Sequence, residues 1–128
     1  MNFDEYQRKA HETAVYGSVT DMIAEDIRSF GSDRIAREYL PLAYCALGLA
    51  GEAGEFANKV KKVLRDHEGK LTVEIVDDLL DELGDAQWYL SEAATCLNAS
   101  LSTVAQHNLA KLQFRNRRDK IHGKGDAR

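Results

Sequence analysis

A chain of 128 residues with a formal charge of −4 is long enough to bury one core and too short to divide comfortably in two, so a single domain is expected. The acidic balance argues against a generic nucleic-acid binder, whose phosphate contacts ask for a basic surface, and no apolar run reaches membrane length. Cys45 and Cys96 are too few for a disulfide framework and lack the C-x-x-C spacing of a redox or zinc motif; with no signal-peptide pattern, a reduced cytoplasmic protein is expected, both thiols serving as small core residues.

A single proline among many Ala, Leu, Glu and Lys residues predicts an all-α fold, a bundle of four to five helices. Phe3, Tyr6, Ala10, Thr13 and Ala14 recur at helical spacing, so a first amphipathic helix is expected from Phe3 to about Tyr16, ended by Gly17-Ser18. From Ser18 to Arg37 the periodicity weakens and Phe30-Gly31-Ser32 interrupts it, which predicts a short helical piece inside a long connection. Pro41 suits a first helical turn, and a long helix is expected from near Leu40 to about Arg65, with Leu42, Leu49, Phe56, Val60 and Val63 as its core stripe.

After a polar turn at Asp66 to Lys70, Thr72 is the expected cap of the next helix. Its core stripe reads Val76, Leu79, Leu80, Leu83, Gln87, Leu90, Ala94 and Leu97, with Trp88 well off it. Ser100 caps a last helix that carries Leu101, Val104, Ala105, Leu109, Leu112 and Phe114 inward. Residues 119–128, rich in glycine and charge, are expected to form a flexible tail on a domain spanning 1–118.

The chemistry concentrates in two acid pairs. Glu52 and Glu55 share one side of the long helix, about 60° and 120° from Leu49 at 100° per residue, and Lys59 and Lys62 continue that flank as candidate phosphate contacts. Gly48, Gly51 and Gly54 each cost about 1 kcal/mol relative to Ala in a helix interior, so they are expected to let a neighbouring backbone or a ligand approach the carboxylates. On the following helix Asp78, Glu82, Asp85 and Tyr89 line one edge as an acidic rail.

Two such pairs facing each other need cations, and an all-oxygen donor set suits a hard divalent ion such as magnesium. A di-iron bundle would need Glu-x-x-His motifs, and no Glu here has a His three residues later. His11, His67, His107 and His122 are read as surface or structural residues.

Gly51-Glu-Ala-Gly-Glu55, Asp81-Glu-Leu-Gly-Asp85 and Asn108-Leu-Ala-Lys111-Leu-Gln-Phe-Arg115 together resemble the E-x-x-E, E-x-x-D and N-x-x-K-L-x-x-R motifs of the MazG-type all-α nucleotide pyrophosphohydrolases. The resemblance covers about Tyr39 to Arg115. It implies that Glu52, Glu55, Glu82 and Asp85 hold Mg2+, with Mn2+ as a substitute, and that Asn108, Lys111 and Arg115 contact the substrate. The implied reaction hydrolyses a ribo- or deoxyribonucleoside triphosphate between the α and β phosphates, giving a monophosphate and pyrophosphate. Glu52 or Glu55 is the expected base.

The chain departs from the family at Asp81, where Glu is frequent, and after the Lys-Leu segment, where Arg117-Arg118-Asp119-Lys120 replaces a common Tyr-Pro pair. Its end, Gly123 to Arg128, is similar to a Gly-x-Gly-Asp-x-Arg motif of a subset of members. The active-site groove is expected between the two acid-pair helices, closed by assembly into a homodimer or homotetramer, with Trp88 and Tyr89 beside the rail. No nucleic-acid or membrane partner is expected. The alternatives are an enzyme resembling phosphoribosyl-ATP pyrophosphohydrolase and a non-catalytic nucleotide-binding or helical interaction module.

Overall fold

The structure is a computed structural model that describes residues 1–29 and 38–117. It contains five helices, α1 (Phe3–His11), α2 (Tyr16–Ser29), α3 (Leu40–Asp66), α4 (Val73–Cys96) and α5 (Leu101–Arg117), and no strand among the described residues. The all-α expectation holds. The Phe30 to Ser32 break and the tail with its Gly123 to Arg128 motif lie outside the described residues.

Most helix starts carry the signal read from the sequence. Thr72 accepts from the Ile75 N–H at 3.4 Å and Ser100 Oγ from the Thr103 N–H at 3.0 Å, while Pro41 occupies the first turn of α3; the start of α1 is capped by Asn2, a residue that sequence reasoning did not single out, which accepts from the Glu5 N–H at 2.8 Å. At the far end of α3 the chain reverses through Gly69, whose φ of +75° suits a residue without a side chain and whose N–H donates to the Val63 carbonyl.

The N-terminal region differs from expectation. The first helix stops at His11, where Thr13 turns the chain by donating its hydroxyl to the Ala10 carbonyl at 2.7 Å, and Gly17 lies inside α2 instead of ending α1. Nor is the second segment short, since α2 runs for 14 residues. Tyr16, Thr20 and Ala24, spaced by four, are all buried and give α2 a narrow inner face too polar and too small-sided to register as an apolar stripe. Tyr16 anchors that face by stacking on Tyr44 of α3, with ring centroids 5.2 Å apart, and meeting Trp88 of α4 edge-on at 6.3 Å.

The helices α3 and α4 form an antiparallel hairpin, in which Lys59 meets Glu82 and Gly48 meets Tyr89. The face that α4 turns toward α3 is the acidic rail, and Glu82 is only 8% exposed. The expected burial is met only in part: Ala94 is buried and Leu79 and Gln87 are half-buried, but most of the predicted stripe is open. Leu83 and Leu90 of the predicted core stripe are 47% and 41% exposed, and Val76, Leu80 and Leu97 are exposed as well. On α5, Val104, Leu109, Leu112 and Phe114 are also exposed in the single chain, whereas Leu101 is buried.

The physical reason is the placement of α5, whose apolar side and that of α4 become the walls of a groove instead of closing on each other. Phe3, Leu49, Leu83, Leu90, Val104 and Asn108 are among the residues lining it, and its volume is about 410 Å³. The first turn of α5 is held by α1, with the Leu101 N–H donating to Gln7 Oε1 at 2.9 Å and the Ser102 N–H to Asp4 Oδ1 at 3.1 Å.

Candidate active site

Glu52 projects from the middle of α3, and Glu82 and Asp85, one turn apart, project from α4. Because the hairpin is antiparallel, carboxylate oxygens of these three residues all come within 4.8 Å of one another. Glu82 is buried, Glu52 half-buried and Asp85 exposed, so the cluster opens from a dry inner end toward water. Partial burial, and then the negative charges of Asp85, Glu55 and Glu82, hold the Glu52 carboxyl above the usual glutamate range. Three acids drawn together at this cost fit a hard divalent cation, which is best held by oxygen donors.

Glu55 is exposed and stands outside that three-residue set, near enough for its charge to act on Glu52. Lys59 reaches across the hairpin, its ammonium 2.7 Å from Glu82 Oε1 and donating to the Asp78 carbonyl at 3.0 Å. The bond to Glu82 is the main reason its pKa is raised, with partial burial opposing and the Glu82, Asp78 and Asp81 charges adding to it. Lys62 lines a neighbouring small groove with Lys59, His67 and Asp78.

On α5, Asn108 lines the apolar groove beside Leu49 and Leu83, Lys111 is exposed on the same helix, and Arg115 is half-buried near its end. Of the three glycines, Gly48 makes room for the Tyr89 ring, with which a Cβ would collide. Gly51 and Gly54 face open space, where an added Cβ would meet nothing within 4 Å.

The residue that sequence reasoning missed is Glu92. It continues the rail two turns beyond Asp85 and is fully buried, with Oε2 lying 2.9 Å from His11 Nδ1 and accepting from the Tyr16 hydroxyl at 3.0 Å. Its Oε1 has no hydrogen-bond partner among the described residues. The signal was available in the spacing, because Asp78, Glu82, Asp85, Tyr89, Glu92 and Cys96 recur at intervals of three and four. His11 is thus structural, as expected. Cys45 is fully buried and free, its thiol pushed up to about 12 by burial, with Cys96 and Glu92 contributing, which makes it an inert core residue.

The profile of the MazG nucleotide pyrophosphohydrolase domain matches residues 42–119, a stretch that includes both acid pairs and all of α5. The chain belongs to the MazG family. As a MazG domain it is a nucleotide pyrophosphohydrolase domain, a hydrolase acting on acid anhydrides, and the family's dependence on metal agrees with the acid cluster. The chain is also 46% identical over 128 residues to the Gene 37 protein of Mycobacterium phage L5, with 100% of both chains covered. No solved structure matches it. Among the described residues of this MazG protein, no helix is long and apolar enough to cross a membrane.

Proposed function

We propose that this protein is a cytoplasmic, Mg2+-dependent hydrolase of ribo- or deoxyribonucleoside triphosphates that cleaves the α–β phosphoanhydride and releases a nucleoside monophosphate and pyrophosphate. The observation that carries the reading is the convergence of Glu52, Glu82 and Asp85 midway along the α3–α4 hairpin, within the MazG match. When bound there, Mg2+ or Mn2+ supplies charge neutralisation for phosphate oxygens and acidifies a water.

The protein's own residues do the rest. Glu52, Glu82 and Asp85 would hold the ion, with Glu55 beside them as the fourth candidate ligand. Where Glu55 stays off the metal it is the carboxylate available to take the proton of the attacking water, and Glu52, whose carboxyl is held above its ordinary range, is the other base candidate. Lys59 and Lys62, on the Glu55 side of α3, meet the phosphate chain, and Asn108, Lys111 and Arg115 approach the nucleotide from α5.

The apolar walls of the groove between α4 and α5 support assembly into a homodimer or homotetramer. A second copy of the same chain would cover Leu83, Leu90, Leu109 and Leu112 and present its own equivalent face in return. Light scattering checks this, and a monomer mass at working concentration refutes it.

The decisive experiment incubates the full chain with a panel of NTPs and dNTPs in Mg2+ and resolves the products. Pyrophosphate and monophosphate are expected. Orthophosphate as the sole phosphate product, or no turnover on any nucleotide, would defeat the proposal, and calorimetric nucleotide binding without turnover would point to a non-catalytic module.

A further inference from the structure

The ion pair between Lys59 and Glu82 has an unusual position, because Glu82 is both the most buried member of the acid cluster and the one already neutralised by a side chain of the same protein. A carboxylate 8% exposed is costly to ionise without a counter-ion, and the Lys59 ammonium supplies one at 2.7 Å. Its second bond, to the Asp78 carbonyl at 3.0 Å, holds the ammonium on α4 beside the cluster. An ammonium and a hard divalent ion both draw on the Glu82 carboxylate, and a dication held by the three clustered acids would lie close to the Lys59 ammonium, where their like charges repel.

We propose that Lys59 is the internal counter-ion of the acid site: it holds the Glu82 carboxylate in the metal-free protein and is displaced from it when a divalent ion binds. The inference rests on the metal-site reading of Glu52, Glu82 and Asp85 given above. Displacement frees the ammonium to swing along the groove that Lys59 shares with Lys62, toward the position of an incoming phosphate chain. Metal loading and exposure of a phosphate-binding cation are then one event, and the site stays closed to anions until the metal has arrived. Lys59 acts here as a positioning residue with two stations.

The signs of the effects separate this arrangement from one in which Lys59 merely orients Glu82 for the metal. A competitor, once removed, leaves the metal bound more tightly; a helper, once removed, leaves it bound more weakly. The test is calorimetric titration of Mn2+, without nucleotide, into the full chain and its Lys59→Met, Lys59→Gln and Lys59→Arg variants, with thermal melts in the presence and absence of Mn2+. Lys59→Met should melt lower than the parent without metal, bind Mn2+ on the order of three- to ten-fold more tightly, and show the larger Mn2+-induced rise in Tm.

Lys59→Gln, neutral but still able to donate to Glu82, should shift affinity in the same direction from a better-folded starting point, and Lys59→Arg should stay near the parent. Mn2+ binding by the neutral variants that equals or falls below that of the parent overturns the counter-ion proposal while leaving the metal site standing. A parent chain that binds no Mn2+ at millimolar concentration removes the metal site and the proposal with it.

Discussion

Gly48 on α3 faces the ring of Tyr89 on α4 so closely that even a methyl group would collide with it. The ring cannot easily retreat, being packed edge-on against Trp88 at 4.9 Å and tilted against Tyr44 at 6.2 Å. Gly48→Ala should therefore push the hairpin apart and destabilise the fold by about 1–3 kcal/mol. Gly51→Ala and Gly54→Ala, with open space at the added Cβ, should instead stabilise it by about 0.5–1 kcal/mol through helix propensity. Urea denaturation of the three variants checks the reversal of sign. A fall in activity for Gly51→Ala or Gly54→Ala without loss of stability would mean that substrate uses that space.

Glu92 connects three helices, since it sits on α4 and is met by His11 of α1 and Tyr16 of α2. Tyr16→Phe removes one of two partners from a fully buried oxygen and should cost about 1–3 kcal/mol. Glu92→Met introduced together with Tyr16→Phe removes the unsatisfied group itself, so the double variant should recover much of that loss. A double-mutant cycle by chemical denaturation measures the coupling, and strictly additive losses would show that Glu92 and Tyr16 do not depend on each other.

Glu82→Gln keeps the shape of the side chain and removes its charge from the acid cluster. Hydrolysis should fall by roughly 100-fold or more while the circular dichroism spectrum stays helical. The same protein should show little Mn2+ binding, whereas a merely solvated acid would leave both measurements unchanged.

Removing divalent ions with EDTA should abolish turnover by the parent chain, and Mg2+ or Mn2+ should restore it. Because binding to the folded state alone stabilises it, metal at about 100 times its Kd should add about 2.7 kcal/mol, visible as a rise in Tm. An unchanged melt across metal concentrations that support turnover would contradict a preformed site.

The joint between α1 and α5 carries a pH signature. Hydrogen bonds from the Ser102 hydroxyl, then from its N–H, hold the Asp4 carboxyl below the usual aspartate range. A carboxyl with a depressed folded pKa contributes stability that is fully present above its unfolded value of 3.8 and is lost as pH falls through the lower folded value. Asp4→Asn should therefore be less stable than the parent at neutral pH, with the gap closing as the pH drops below 3.8. Unfolding midpoints measured across that range check the sign.

The starts of α3, α4 and α5 were legible because their signals are local: Pro41, Thr72 and Ser100 each mark a helix start by what they do to their own backbone. The acid pairs were equally readable from spacing, since two positions three or four apart share a helix face in any fold. Which side of α4 would be buried was not readable, because Leu83 and Leu90 look like core by every periodic measure. Their exposure depends on where α5 goes, a long-range fact set by Asp4 and Gln7 nearly a hundred residues away. The inner face of α2 escaped for a related reason, as Thr20 and Ala24 become core only once Tyr16 is seated against Tyr44.

Asp4 and Gln7 each hold an N–H of the first turn of α5, which makes that turn a fixed reference point for the rest of the helix. Arg115 lies about fourteen residues beyond Leu101, so at 1.5 Å per residue the arm is about 21 Å long. A tilt of about 5° at the pinned end carries Arg115 through roughly 2 Å, and Lys111, nearer the pivot, through proportionally less. Under the substrate role proposed for Lys111 and Arg115, substitutions at Asp4 or Gln7 should therefore shift nucleotide affinity although neither residue meets the nucleotide.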